Sequence, residues 1–107
     1  MSVEYKSTLI FGYNLTSLAP KASDEFMAFV EQLEDYGFDV VYDPYNNDFI
    51  YAGAAISTTS LGDEVQIDVI TAMLPAQEKV KEVLKKVPLN VCSKFPLWTV
   101  YHLCYAV

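Results

Sequence analysis

The chain offers few side chains of the kinds that enzymes use for acid–base or nucleophilic chemistry. His102 is the only histidine, and it lies in an apolar run between Tyr101 and Leu103. A general base needs a nucleophile beside it and a third group that orients it. No serine or threonine lies in a recognisable nucleophile elbow or phosphate-binding loop. We therefore predict a half-buried histidine with its hydrogen bonds satisfied, and no enzyme activity.

The two cysteines, Cys92 and Cys104, are twelve residues apart and form no CxxC pattern. In a reducing compartment such a pair is typical of two small buried hydrophobic side chains rather than a disulfide. The N-terminus lacks the features of a signal peptide, and no run of about eighteen apolar residues is present. We expect a complete cytoplasmic chain that binds no membrane and no cofactor.

Oxygen-bearing side chains crowd the segment from 39 to 48, where they could bind a hard cation such as Ca²⁺ or Mg²⁺. The set comprises Asp39, Asp43, Asn46, Asn47 and Asp48. Counted from Asp43, the spacing fails the calcium-loop pattern, because Tyr45 occupies the third position and no glutamate closes the loop at the twelfth. Turns rich in such residues are common without metals. We predict a polar turn and no metal site.

Charge is the most uneven feature of the sequence. Arginine is absent, and twelve carboxylates lie between Lys21 and Lys79 with no lysine among them. Five of the seven lysines follow from Lys79 onward, and the net charge is −7. A field of one sign repels like-charged polymers and attracts basic surfaces. We expect no direct binding to nucleic acid.

The acidic stretch is either a solvated surface that keeps an apolar-rich chain soluble or a docking face for a basic partner. Carboxylates spaced along an extended face can imitate the phosphates of nucleic acid and occupy a basic groove. The candidate docking residues follow the first predicted helix and the hairpin after it: Glu31, Glu34, Asp35, Asp39, Asp43, Tyr45 and Asp48. The leading hypothesis is a non-catalytic protein-binding module, for example a small viral or accessory inhibitor of a basic or nucleic-acid-binding protein.

A second hypothesis is a small-ligand-binding or regulatory domain that forms a homodimer through its sheet edges or its open sheet face. Aromatic side chains could line a pocket or an interface in such a domain. The candidates are Tyr5, Tyr13, Tyr51, Tyr101 and Tyr105. The sequence does not choose between this hypothesis and the acidic docking face.

The first half of the chain predicts a strand, a helix and a hairpin. Residues 5–15 alternate in part, with large apolar residues on one side and a mixed set that includes Lys6, Ile10 and Asn14 on the other, which favours a strand inside a sheet. A helix follows between Ser23 as its N-cap and Gly37 as its left-handed C-cap. Residues 38–42 and 48–56 then form the two strands of a hairpin around a Pro- and Asn-rich turn.

The second half predicts a loop at 57–63, followed at 64–70 by alternating polar and apolar residues that favour a half-exposed strand or an elaborated loop. A second helix begins at Pro75 and stops at Pro88. Residues 97–107 form a last strand that is apolar on both faces, as in strands that are central or covered.

These elements predict one α+β domain over residues 1–107 with the order βαββ(β)αβ. Two split β-α-β units of this kind form an antiparallel sheet of four or five strands, with two helices on one face, which is the ferredoxin-like arrangement. The basic second helix should lie beside the first, where its lysines could pair with some of the acids. This architecture hosts many unrelated functions, so it predicts none by itself.

Overall fold

A computed structural model describes residues 5–60 and 66–106 of the chain. Its elements are β1 (Tyr5–Asn14), α1 (Ser23–Tyr36), β2 (Asp39–Tyr42), β3 (Ile50–Ser60), α2 (Val69–Leu84), α3 (Leu89–Cys92) and β4 (Thr99–Ala106). The predicted α+β class is confirmed. The prediction of two helices is wrong, because the described residues form three.

The strands form one antiparallel sheet with the order β2-β3-β1-β4. β1 lies between β3 and β4, inside the sheet as predicted. β2 and β3 form the predicted hairpin, in which Tyr42 pairs with Ile50. The segments β1-α1-β2 and β3-α2-β4 interleave in the sheet. β3 lies between β1 and β2, and β1 lies between β3 and β4.

Both long helices pack on the same face of the sheet, which we call the helix face; the opposite side is the open face. The core combines buried side chains of α1, of α2 and of the helix face of β1 and β3. Its members include Phe26, Val30, Leu33, Ala76, Val80, Val83, Phe11, Tyr13, Ala52 and Ala54. Burying such side chains is the main driving force for folding.

β1 and β3 approach each other closely where Gly12 pairs with Gly53. A Cβ atom built on Gly53 would lie 2.0 Å from the Phe11 carbonyl oxygen, and one on Gly12 would lie 2.2 Å from the Ala52 carbonyl oxygen. A residue with a Cβ atom therefore fits at neither position unless one of the two strands moves. The small residues of β3 therefore allow close contact with β1 as well as with the core.

The predicted C-cap of α1 is confirmed, and its predicted N-cap is wrong. Gly37 is the C-cap and adopts a φ of 113°, in the left-handed region that glycine accepts most easily. The N-cap is Ala22, which makes no side-chain hydrogen bond, so the prediction of Ser23 as N-cap is wrong.

α2 begins six residues before the predicted start at Pro75, which lies inside the helix. Its N-cap is Asp68, whose carboxylate accepts hydrogen bonds from the Thr71 backbone N–H and hydroxyl at 3.2 and 2.9 Å. These bonds lower the pKa of Asp68. The helix ends at Leu84, and Pro88, predicted as its stop, instead precedes the short helix α3.

The predicted strand at 64–70 is not found where the structure describes it. Residues 66–68 have no regular secondary structure, and Val69 and Ile70 already belong to α2. Residues 64 and 65 lie outside the described residues, as do 61–63 of the predicted loop. The prediction of a loop at 57–60 is wrong, because β3 extends to Ser60.

The last strand, β4, occupies the edge of the sheet and not its centre. Among the described residues it pairs with β1 alone. Of the two predicted alternatives, a central or a covered strand, the central one is therefore wrong. None of the residues from Thr99 to Ala106 is fully buried, and Thr99, His102 and Cys104 are exposed. A strand that is apolar on both faces thus forms an open edge of the described structure.

Candidate functional site

The outer side of α1 presents the predicted acidic residues to solvent. Glu31, Glu34 and Asp35 are exposed, at spacings of three and four residues that make them neighbours on one helix surface. In the described residues, none of the three forms an ion pair; the three ion pairs found there involve Lys79, Lys81 and Lys85 of α2. The carboxylates of α1 are therefore not paired with α2. Of the acids that the sequence suggested as partners of its lysines, Asp39 does form an ion pair, with Lys79.

The placement of these acids is electrostatically unfavourable for α1 itself. Glu34 and Asp35 lie in its last turn, next to the negative end of the helix dipole, and that turn contains no basic residue. Glu31 adds a like charge three and four residues away, which also disfavours the helix. Local rules of helix stability do not explain this cluster.

Asp39 differs from the acids of α1 because its charge is partly neutralised. Its Oδ2 atom lies 2.8 Å from the Nζ atom of Lys79 and also accepts a 2.8 Å hydrogen bond from the backbone N–H of Ala55. Both bonds connect the edge strand β2 to other elements. This residue therefore holds the structure together and offers less charge to a partner.

Asp43 is almost fully buried, with 8% of its surface exposed. Its two carboxylate oxygens accept hydrogen bonds from the backbone N–H groups of Tyr45, at 3.0 Å, and Asp48, at 3.3 Å. The bond from Tyr45 is the main reason that the pKa of Asp43 is lowered. The carboxylate therefore closes the hairpin turn.

The tip of the hairpin lies against the start of α1. Asn47, with a φ of 57°, directs its side-chain amide toward the Lys21 carbonyl and the Ser23 hydroxyl at 3.5 and 3.4 Å. Tyr45 and Asp48 are exposed at this tip. The hairpin acids thus adjoin the first turn of α1, where Asp24 and Glu25 are also exposed.

We use the name acidic ridge for the exposed carboxylates along α1 and the hairpin tip: Asp24, Glu25, Glu31, Glu34, Asp35 and Asp48. The 14 residues of α1 give it a length of about 21 Å at 1.5 Å per residue. Of the seven predicted docking residues, Glu31, Glu34, Asp35 and Asp48 belong to the ridge, and Tyr45 adjoins it. Asp39 and Asp43 have structural contacts instead.

One arrangement that the sequence did not reveal joins Ser7 of β1 to His102 of β4. The Ser7 hydroxyl lies 2.5 Å from Nε2 of His102, and His102 is exposed rather than half-buried as predicted. A nucleophile and a base within reach are the first requirement of covalent catalysis. Among the described residues, however, no group binds the other ring nitrogen to orient it. The two residues are 95 positions apart, so only the register of β1 with β4 could have predicted the contact.

The five tyrosines of the second hypothesis do not form one cluster. Tyr51 and Tyr101 are in contact on the open face, with ring centroids 4.9 Å apart, and Tyr105 on the same face lies 2.8 Å from the Thr8 hydroxyl. Tyr13 is buried on the helix face, and this burial raises the pKa of its hydroxyl. Tyr5 is exposed at the start of β1.

The open face also contains a cavity of about 300 Å³. Lys6, Val41, Thr58 and Tyr105 are among its lining residues. The size is at the lower limit of ordinary small-molecule sites. It could accept one small ring.

No family model matches this chain, and neither does any curated protein or solved structure. The geometry must therefore be interpreted without relatives. In residues 5–60 and 66–106, no group of three or more His, Cys, Asp or Glu side chains is arranged to hold a metal ion. No helix in these ranges is long and apolar enough to cross a membrane.

Proposed function

We propose that the protein is a non-catalytic binding module whose acidic ridge docks onto a basic surface of another protein. Binding by a row of carboxylates that imitates a nucleic-acid backbone would suit a small inhibitor of a nucleic-acid-binding protein. The surface of the partner would be rich in lysine and arginine. Glu31, Glu34 and Asp35 would form the centre of contact, with Tyr45 and Asp48 at one end.

The observation that supports this proposal best is the cluster of three carboxylates at the end of α1. They repel one another and the helix dipole, and no lysine of the described structure compensates them. Residues that disobey local stability rules without compensation are expected at functional sites. A basic partner would supply the missing countercharge.

The experiment uses the whole protein as bait in extracts of its host, followed by identification and purification of the captured protein. Its affinity is then measured for the wild type, for Glu31→Gln/Glu34→Gln and for the matched control Glu78→Gln/Glu82→Gln. Both double variants remove two exposed helical charges. Losing two exposed charge pairs at about 0.5–1 kcal/mol each predicts roughly a fivefold to thirtyfold weaker Kd for the α1 variant. Equal Kd values for both variants would contradict the proposal.

We also propose that the fold belongs to the ferredoxin-like class. The interleaved β-α-β segments and the order β2-β3-β1-β4 support this assignment. The short helix α3 would be an addition to the basic plan. The assignment predicts no activity, since this architecture serves many functions.

A second candidate function is the binding of a small planar ligand on the open face. The contact between Tyr51 and Tyr101 and the nearby cavity favour it. A thermal-shift screen with small aromatic compounds tests it, using Tyr51→Ala and, as a control outside the cluster, Tyr5→Ala. A ligand that stabilises the wild type and Tyr5→Ala but not Tyr51→Ala would support this function, and a screen without any stabilising ligand would count against it.

A further inference from the structure

We propose that β4 and the adjoining side of α2 form the interface of a homodimer, in which β4 pairs antiparallel with β4 of a second copy. The two sheets would then form one continuous eight-stranded sheet. This interface lies away from the acidic ridge, so the proposal goes beyond the docking function and does not depend on it.

The edge formed by β4 lacks the usual protection of an exposed strand. Natural edge strands carry charges, prolines or bulges, or are very short. β4 has eight residues, none of them charged or proline, and its pairing with β1 runs from Thr99 to Ala106 without a register shift. The opposite edge, β2, has four residues and carries the ion pair between Asp39 and Lys79. Of the two edges, only β4 is suited to pairing.

The side of α2 that faces β4 combines apolar and polar side chains around an open groove in the described structure. Met73, Gln77 and Lys81 of α2 line a groove together with Trp98, which precedes β4, and Val100 of β4. The groove has a volume of about 350 Å³. It connects the strand edge to the helix surface.

Ile70 and Leu74 continue this side of α2, because positions 70, 74, 77 and 81 follow one helical stripe. Their exposed fractions are 82% and 65%, values that large aliphatic side chains rarely show in clusters on a monomer. A twofold axis perpendicular to the sheet at β4 would bring α2 beside α2 of the second copy. Ile70 and Leu74 of each copy would then be covered by the other copy.

A second copy fits this surface better than an unrelated protein does. A strand that pairs antiparallel with its own copy is self-complementary, so each backbone donor on one chain meets the equivalent acceptor on the other. Two chains of net charge −7 repel each other least where charge is absent, and residues 95–106 contain no charged side chain. The acidic ridge is remote, because α1 packs against β2 at the opposite end of the sheet.

The size of the surface is compatible with a stable dimer. A strand of eight residues is about 26 Å long, and the shortest dimension of the molecule is 20 Å. The side of the molecule at β4 therefore measures about 500 Å² in projection. The accessible area buried at an interface exceeds its projected area, because side chains make the surface uneven. The projected area is therefore comparable with the ~800 Å² that each partner buries in an ordinary interface.

Two central registers keep the helices of both copies on the same side of the sheet. In an antiparallel pair, opposite residues point to the same face. An axis perpendicular to the sheet must therefore pass at a residue and not between residues. The axis passes either at His102 or at Leu103, the two central positions of β4. Each register places one of these residues opposite its own copy.

The first test is the mass in solution. Sedimentation equilibrium up to about 0.5 mM would populate a dimer even if its Kd were ~0.1 mM. We expect an average mass that rises with concentration from the monomer mass of 12.0 kDa toward twice that value. Leu103→Lys places a charge on the edge and should yield monomers, whereas Ala55→Lys, the same charge on an exposed site of β3, should leave the dimer intact. Circular dichroism establishes that both variants are folded.

Cross-linking tests the register. In a Cys92→Ala/Cys104→Ala background, His102→Cys or Leu103→Cys should form an intermolecular disulfide on mild oxidation, and Tyr45→Cys at the hairpin tip should not. Three results would overturn the proposal: a wild type that stays monomeric throughout, a dimer that survives Leu103→Lys, and equal cross-linking at position 45. The Glu31→Gln/Glu34→Gln variant should dimerise like the wild type, so failure here and failure of the docking function are distinguishable.

Discussion

Replacing Asp43 should destabilise the fold, because its carboxylate closes the hairpin turn. Its oxygens accept two backbone hydrogen bonds, at 3.0 and 3.3 Å, in a nearly buried position. Asp43→Asn keeps one acceptor oxygen, loses the other and removes the charge. Asp43→Ala removes both bonds and leaves two backbone N–H groups without this partner.

The expected magnitude follows from these contacts. A hydrogen bond to a charged group contributes about 1.5–3 kcal/mol, and the 3.3 Å bond is longer than the optimum, so it belongs at the low end. We expect a loss of about 1–2 kcal/mol for Asp43→Asn and about 2–4 kcal/mol for Asp43→Ala. For a domain of this size, Asp43→Asn should lower Tm by roughly 4–16 °C.

The assay is thermal unfolding at neutral pH followed by circular dichroism, with Asp48→Asn as the matched control. Asp48 lies in the same turn and is exposed, and the bond from its backbone N–H does not need its carboxylate. The control should melt close to the wild type. If Asp43→Asn melts within about 1 °C of Asp48→Asn, the hydrogen bonds of Asp43 do not stabilise the fold and our reasoning is refuted.

The pH dependence gives a second readout on the same residue. The pKa of Asp43 is lower in the folded protein than its unfolded value of about 3.9. Its stabilising effect is therefore complete above that value and is lost as the pH falls through the folded pKa. The Tm difference between the wild type and Asp43→Asn should shrink in strong acid.

Two further substitutions test the elements that the structure added or revised. Gly53→Ala places a Cβ against the Phe11 carbonyl oxygen and should lower the free energy of chemical unfolding by about 1–3 kcal/mol. Ala55→Gly, at a nearby exposed position of the same strand, should lower it by about 1 kcal/mol or less. Equal effects of the two substitutions would contradict the close contact between β1 and β3. Asp68→Ala removes the cap of α2 and should lower Tm by several degrees, and faster amide exchange in the first turn of α2 than in the wild type should accompany it. Unchanged exchange there would mean that the helix does not begin at this cap.

The local sequence pattern correctly predicted those elements for which all the neighbouring residues favour the same structure. The residue pattern of β1 predicted a strand inside the sheet, and Gly37 predicted the end of α1 because few other residues accept its left-handed conformation. The exposure of Glu31 and Glu34 followed from the amphipathic pattern of α1.

α2 shows why two correct signals can mislead when they overlap. The alternation through Asp68 favoured a strand, and Pro75 favoured a helix start, so the cap formed by Asp68 and Thr71 was missed. Ala76 and Val80 are buried on the stripe that continues toward the start of the helix. Packing of that stripe overrides the cost of a proline inside the helix.

Other features depend on tertiary contacts that no local pattern contains. The burial of Asp43 arises from the way its own turn folds around it, and an exposed aspartate would look the same in the sequence. The contact of Ser7 with His102 requires the register of two strands at opposite ends of the chain. The apolar pattern of β4 does not reveal that it is an edge strand. In the proposed dimer, a second copy covers this edge.

The most direct test of the docking function is the salt and charge dependence of binding to the captured partner. The Kd of the wild type should weaken steeply as the ionic strength rises from about 0.05 to 0.3 M, because exposed charge pairs are screened over this range. Glu31→Gln/Glu34→Gln should bind roughly tenfold more weakly at low salt and depend less on salt than Glu78→Gln/Glu82→Gln. Binding that ignores both salt and the charges of α1 would contradict a function based on the acidic ridge.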